Sequence, residues 1–187
     1  ELQYLKKQIH PHFLFNALNT IYGFALKKSD STPEIILKLA NLLDYILYQV
    51  QEKAVPLQQE LDHIAEYISL EKMRFQDTLE VKFTQQAASE TRMIPPMLFL
   101  PLVENAFKHG SIIDGKMRVD IHFEEKEEEI IFNISNSFKG IPAENKSGIG
   151  LENIRKRLDL LYPDRYKLTA GQQVQTFHAN LKISLHD

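Results

Sequence analysis

Cysteine is absent from the 187 residues, which excludes disulfides and thiolate chemistry and fits a reducing compartment. No apolar run approaches the roughly 20 residues that a membrane-spanning helix needs, and no signal-peptide pattern is present. Neither sign of charge dominates: a net charge of −3 and a pI near 6.2 leave no footprint for direct nucleic-acid or anionic-membrane binding. Internal repeats and low-complexity segments are missing as well. What is present is 43% apolar residues, ample for a packed core, in a chain long enough for one or two domains. The composition is that of an ordinary soluble chain. It starts at Glu1 with Leu2 and Leu5 already at helical spacing, so a further segment is expected upstream.

The first run with a chemical pattern is Gln8-Ile9-His10-Pro11-His12-Phe13-Leu14-Phe15-Asn16. A proline in a helix-friendly run removes one helical hydrogen bond and presses on the carbonyl four residues back. If the helix continues through it, Gln8, His12, Asn16 and Asn19 stack in one file at spacings of four, four and three. Leu5, Ile9, Phe13, Leu14, Leu18 and Ile21 fill most of the rest. A polar stripe with one imidazole on a helix otherwise made for burial has two readings: a core histidine satisfied by an asparagine, or a nucleophile or ligand.

This helix is expected to reach about Lys28. Ser31 and Glu34 at capping-box spacing, with Pro33 in the first turn, open a second helix. Along it Ile35, Leu39, Leu42, Ile46 and Val50 recur at helical intervals. Two helices on a short connection make an antiparallel hairpin, and their broad apolar faces need more cover than each other, so a homodimeric four-helix bundle is expected. Pro56 suggests a boundary, giving residues 1–56 as the dimerisation hairpin and 57–187 as a second domain.

A helix over 57–75 is expected to turn Glu60, Glu66, Glu71, Lys72 and Arg74 mostly toward water. A short strand over 79–84 and a polar loop precede a helix opened by Ile94-Pro95-Pro96, with Met97, Leu100, Val103 and Phe107 on its apolar face and Gly110 as its stop. Val119, Ile121 and Phe123 alternate with Arg118, Asp120 and His122, and 130–134 returns as the second strand of a hairpin. Residues 135–147 read as a loop. Leu151, Ile154, Leu158 and Leu161 mark an amphipathic helix ending at Tyr162-Pro163, and 166–170 and 176–185 read as strands. Helices on one face of a mainly antiparallel sheet predict an α+β sandwich for the second domain.

Two constellations carry chemistry. Asn105, Lys108 and His109 share the last turn of the helix expected over 97–109, where an amide oxygen suits Mg²⁺ and two basic groups suit phosphate. The alternative is a solvated helix end with its cations where the macrodipole favours them. Ser147-Gly148-Ile149-Gly150-Leu151 sets a glycine pair at a helix start, where backbone N–H groups bind anions; loops also use glycine simply to turn.

In this order the motifs carry a resemblance. Pro101-Leu102-Val103-Glu104-Asn105-Ala106-Phe107-Lys108-His109-Gly110 resembles the N box of the GHKL (Bergerat-fold) ATP-binding domain, and Gly148-Ile149-Gly150-Leu151 resembles its later glycine box. With the Pro-His-Phe run in front, the chain from Leu5 to about Tyr162 resembles the LytS/YehU-type family of bacterial sensor histidine kinases. The resemblance implies His12 as phosphoacceptor, Asn105 as Mg²⁺ ligand, Lys108 and His109 facing the phosphates of ATP, and Gly148 and Gly150 in a lid over the triphosphate. The family's Asp-Asn-Gly-x-Gly box aligns with Asn136-Ser137-Phe138-Lys139-Gly140. An amide therefore stands where the family's aspartate reads the adenine amine, and phenylalanine stands for the first glycine. Phe13 follows His12 where the commoner kinases carry an orienting acid, so Asn16, one turn on, is the polar candidate for orienting the ring.

The function so implied is ATP-dependent autophosphorylation of a histidine in a homodimer. Transfer to an aspartate of a response regulator, of the LytTR type, follows, in the cytoplasmic part of a bacterial inner-membrane protein whose membrane segment lies upstream. A catalytically weak dimeric scaffold is the alternative that the Asn136 and Phe138 departures motivate. An ATP hydrolase of the same fold is disfavoured, because Pro101 occupies the position of that class's glutamate base.

Overall fold

A computed structural model describes residues 11–48, 52–86, 89, 91–140 and 149–185, with the side chains of 11–14, 16, 46–48 and 149 also outside the description. Helix α1 spans Pro11–Leu26 and α2 spans Thr32–Tyr48. They bury Ala17, Ile35, Leu39, Leu42 and Tyr45, of which Ile35, Leu39 and Leu42 are positions expected from the helical spacing. The hairpin expected from the sequence is therefore formed. It lies against α3, Leu57–Phe75, which continues the same core through Leu57, Leu61, Ile64 and Ile68.

A two-residue strand β1, Val55–Pro56, precedes α3, and a 3₁₀ turn at Gln76–Thr78 leads into β2, Leu79–Gln86. Strand β3, Met93–Ile94, pairs antiparallel with β1, a clasp too short to show any period in the sequence. Helix α4 spans Leu100–His109, followed by β4, Met117–Glu125, and β5, Glu129–Ser137. Helix α5 covers Ile149–Leu161, and β6, Tyr166–Gln173, and β7, Thr176–Ser184, close the chain.

The main sheet runs β2-β4-β5-β7-β6. Only the β2–β4 pairing is parallel; the others are antiparallel. The register sets Val119 opposite Asn136, Ile121 opposite Ile134 and Phe123 opposite Phe132, so one face is apolar until Asn136 ends it. Phe99 stacks on Phe132 at 4.9 Å between ring centroids and meets Phe123 edge-on at 5.8 Å, joining the sheet to the helix layer. No helix among the described residues is long and apolar enough to cross a membrane.

The structure corrects three expectations. Residues 95–99 are not helical: α4 begins at Leu100, and Met97 sits at φ 58°, a conformation that L residues rarely adopt. Glu60 and Glu71 do not face water; Glu60 is fully buried and holds the amides of 97–99 out of the helix. Gly110 ends α4 as expected, in extended backbone at φ −60°. It is needed there for close approach, since a Cβ would lie 2.8 Å from the Ala106 carbonyl oxygen. Finally, β5 runs on to Ser137, because Ser137 Oγ accepts from the Arg118 amide at 3.0 Å and donates to the Ser111 carbonyl at 2.6 Å, extending the ladder with polar partners.

Candidate active site

Helix α4 packs on β5 and against α5, which brings two separate motifs together. Asn105 is half-buried on α4, and Gly150 faces it from the first turn of α5. A Cβ on Gly150 would stand 2.6 Å from Asn105 Oδ1 and 2.9 Å from Nδ2. The glycine thus leaves the only room in which that amide can sit as observed. Lys108 and His109 lie exposed one turn further on. Partial burial and the neighbouring Lys108 charge hold the His109 imidazole below its usual range, toward the neutral form.

Asn136 terminates the apolar face of β5 at 2% exposure. Its Nδ2 donates to the Ser137 carbonyl at 3.1 Å, and Ser137 in turn is tied to Ser111 just beyond α4. Gly140 lies beneath the Phe138 ring, whose edge a Cβ would strike, and Phe138 tilts against Phe177 at 6.3 Å. A depression of about 730 Å³ borders Asn136, lined also by Lys72, Arg118, Ser135 and Thr176. Neither Asn105 nor Gly150 lines it, and Glu80, Lys82 and Asp120 in its wall belong to the open face of the sheet. The Asn105–Gly150 contact therefore marks the site better than that hollow does.

Other expected site residues are placed only in part. His12 and Asn16 fall within α1, with their side chains outside the described residues, and His10 and Gly148 lie outside the described residues altogether. Among the described residues no group of three or more acidic or histidine side chains could hold a metal ion. The residues that fit Mg²⁺ are instead a single neutral amide in a cradle that a methyl group would fill, which suits an ion that takes most of its ligands from water and phosphate.

The sequence reading missed a buried acid beside this amide. Glu104 is 5% exposed, and burial, reinforced by the neighbouring Glu71 charge and opposed by Lys108, pushes its carboxyl up to about 8. Burial also raises Glu71, against the pull of Arg74 at 2.6 Å and a hydrogen bond from Tyr67. The signal was available: Leu100, Val103, Glu104 and Phe107 share one helical face, as do Leu57, Glu60, Leu61 and Ile64.

Residues 1–79 match the family model described as Histidine kinase. Sensor protein LytS of Bacillus cereus is 33% identical over 80% of the chain, which covers 26% of that relative. Sensor histidine kinase BtsS of Escherichia coli is 30% identical over 95% of the chain, covering 32% of its length. The chain thus spans about a quarter to a third of these relatives. Among solved structures, the histidine kinase domain of the Erythrobacter litoralis EL346 blue-light activated kinase superposes at a TM-score of 0.57, with 16% identity over 79% of this chain and 75% of that one. The catalytic domain of histidine kinase ThkA superposes at 0.52, with 14% identity over 70% and 94%. The fold is that of a histidine kinase catalytic domain with a helical hairpin before it, and the chain belongs to the sensor histidine kinases, the family of LytS and BtsS.

Proposed function

We propose that residues 57–187 bind Mg-ATP and that residues 1–56 form the dimerisation and phosphotransfer hairpin carrying His12. The observation that carries this reading is the meeting of Asn105 with Gly150, which joins the N-box amide to the glycine box of the lid. Asn105 would hold Mg²⁺ through its oxygen, and Lys108 and His109 would meet phosphate oxygens. With its amino group committed to Ser137, the Asn136 oxygen is the end that an adenine amine would meet. Mg²⁺, when bound, supplies charge neutralisation across the phosphates. The chain's own contribution is positioning: an unprotonated ring nitrogen of His12 forms the bond to the γ-phosphorus as the bond to the β–γ bridging oxygen breaks, and ADP leaves.

The homodimer has support on the hairpin surface. Phe15, Leu18, Tyr22 and Leu26 lie on one face of α1 at 48–66% exposure, an apolar stripe that a second copy would cover as a four-helix bundle. The acceptor of the next step is an aspartate on a response regulator of the LytTR type; histidine kinase ThkA has been solved in complex with the response regulator TrrA. An upstream segment would anchor the protein at the bacterial inner membrane.

The test is incubation with γ-labelled ATP and Mg²⁺. An acid-labile phosphoprotein is the expected product. Steady phosphate release without one would point to a hydrolase. Absence of nucleotide binding at millimolar concentrations would favour a dimeric scaffold, the reading suggested by an amide at 136 and Phe138 over Gly140.

A further inference from the structure

Four elements converge on one buried carboxylate. Glu60, on α3, accepts from the backbone amides of Met97 at 2.9 Å, Leu98 at 2.7 Å and Phe99 at 3.1 Å. It also accepts a hydrogen bond from the Tyr45 hydroxyl, which reaches in from α2 of the hairpin and itself accepts from the Met97 amide at 3.1 Å. Arg157, on α5, donates to the Pro96 carbonyl at the edge of the same cluster. The Tyr45 ring is held by stacking on His63, with centroids 3.8 Å apart.

A fully buried carboxylate is tolerated only when its oxygens are filled, and here three amides and a hydroxyl fill them. The arrangement also holds Met97 at its positive φ, a local strain of about 1 kcal/mol that three consecutive amides aimed at one group offset. These amides immediately precede α4, whose second half carries Asn105, Lys108 and His109. Leverage makes the placement matter. A tilt of about 8° at the start of α4 moves Asn105, roughly 7.5 Å along the axis, by about 1 Å, and misplacement of about 1 Å in a phosphoryl-transfer site can lower the rate about a hundredfold.

We propose that Tyr45 and Glu60 are positioning residues: the hydroxyl–carboxylate pair ties the hairpin to the start of α4 and so sets where Asn105 sits at the nucleotide site. Through Arg157 and Pro96 the same tie reaches the helix that carries Gly150. The proposal deepens the kinase reading by naming the residues through which a displacement of the hairpin reaches the nucleotide side.

The test uses Tyr45→Phe, which removes the hydroxyl and keeps the ring stack; Glu60→Gln is a second, harsher variant, and Lys167→Gln, at an exposed site on β6, is the control. In the full chain without nucleotide, Tyr45→Phe is expected to speed hydrogen exchange at the amides of 97–99 about five- to thirtyfold, leave the β5 amides within twofold, and shift the Asn105 side-chain amide resonance. Lys167→Gln should do none of these. Unchanged exchange at 97–99, equal acceleration across β5, or an unmoved Asn105 resonance would each overturn the proposal. In wild type, failure to bind Mg-ATP sinks the kinase reading, while the exchange result still decides the tie.

Discussion

Gly150→Ala separates the geometry of the site from the stability of the fold. A Cβ at 150 would lie 2.6 Å from Asn105 Oδ1, whereas carbon–oxygen contacts settle at about 3.3 Å, so the amide must retreat by about 0.7 Å. The backbone at 150 is ordinary helix, where alanine is favoured over glycine by up to about 1 kcal/mol. Rotating the Asn105 side chain off its rotamer costs about 0.5–1.5 kcal/mol. The two effects nearly cancel, and the melting temperature should move by no more than a few degrees. The proposed Mg²⁺ site would not share that tolerance, because the ion demands ligands at about 2.0–2.1 Å in near-ideal octahedral geometry. Losing the support of a metal ligand lowers affinity about 10- to 100-fold. Calorimetric titration with Mg-ATP, paired with thermal unfolding, reads both sides. Unchanged affinity in Gly150→Ala, with Asn105→Ala strongly weakened, would refute the claim that the observed position of Asn105 is its metal-binding position.

Three further outcomes follow from the same structure. Glu104, raised to about 8 from an ordinary value near 4.5, binds more proton folded than unfolded between those values, so its contribution to stability is full below about pH 4.5 and is lost as pH rises to about 8. The loss is on the order of 3–5 kcal/mol; denaturant unfolding from pH 5 to 9 should show a decline that Glu104→Gln flattens, and an unchanged slope would contradict the assignment. Glutamates at Tyr22 and Leu26, 65% and 66% exposed, should convert a dimer to a monomer in sedimentation without unfolding it. Asn136→Asp gives up the 3.1 Å bond to the Ser137 carbonyl and places a charge at a position 2% exposed, at about 3–5 kcal/mol of stability, yet supplies a charged acceptor for the adenine amine. Mg-ATP affinity should therefore rise about tenfold, and a fall would show that the amide is the fitted group.

Much of this was legible in the sequence because period and burial agree. Val119, Ile121 and Phe123 alternate with charged neighbours and face the core, and the hairpin buries Ile35, Leu39 and Leu42 at their helical intervals. The stretches that resemble the N box and the glycine box singled out Asn105 and Gly150 without coordinates. Their contact is tertiary, and spacing along a chain does not encode it. The sequence misled at 95–99, where an apolar run with two prolines reads as a helix start until a carboxylate 37–39 residues earlier claims its amides. It misled again at Glu60 and Glu71, since a glutamate on an exposed helix and one at the centre of a polar cluster are the same letter. Strand β1 and its partner β3 are two residues each, too short for alternation to appear.

The central claim is that His12 receives the phosphoryl group. Labelling from γ-labelled ATP in His12→Gln and His10→Gln tests it directly: incorporation should vanish in the first and persist in the second. Label retained in His12→Gln and lost in His10→Gln would contradict the account.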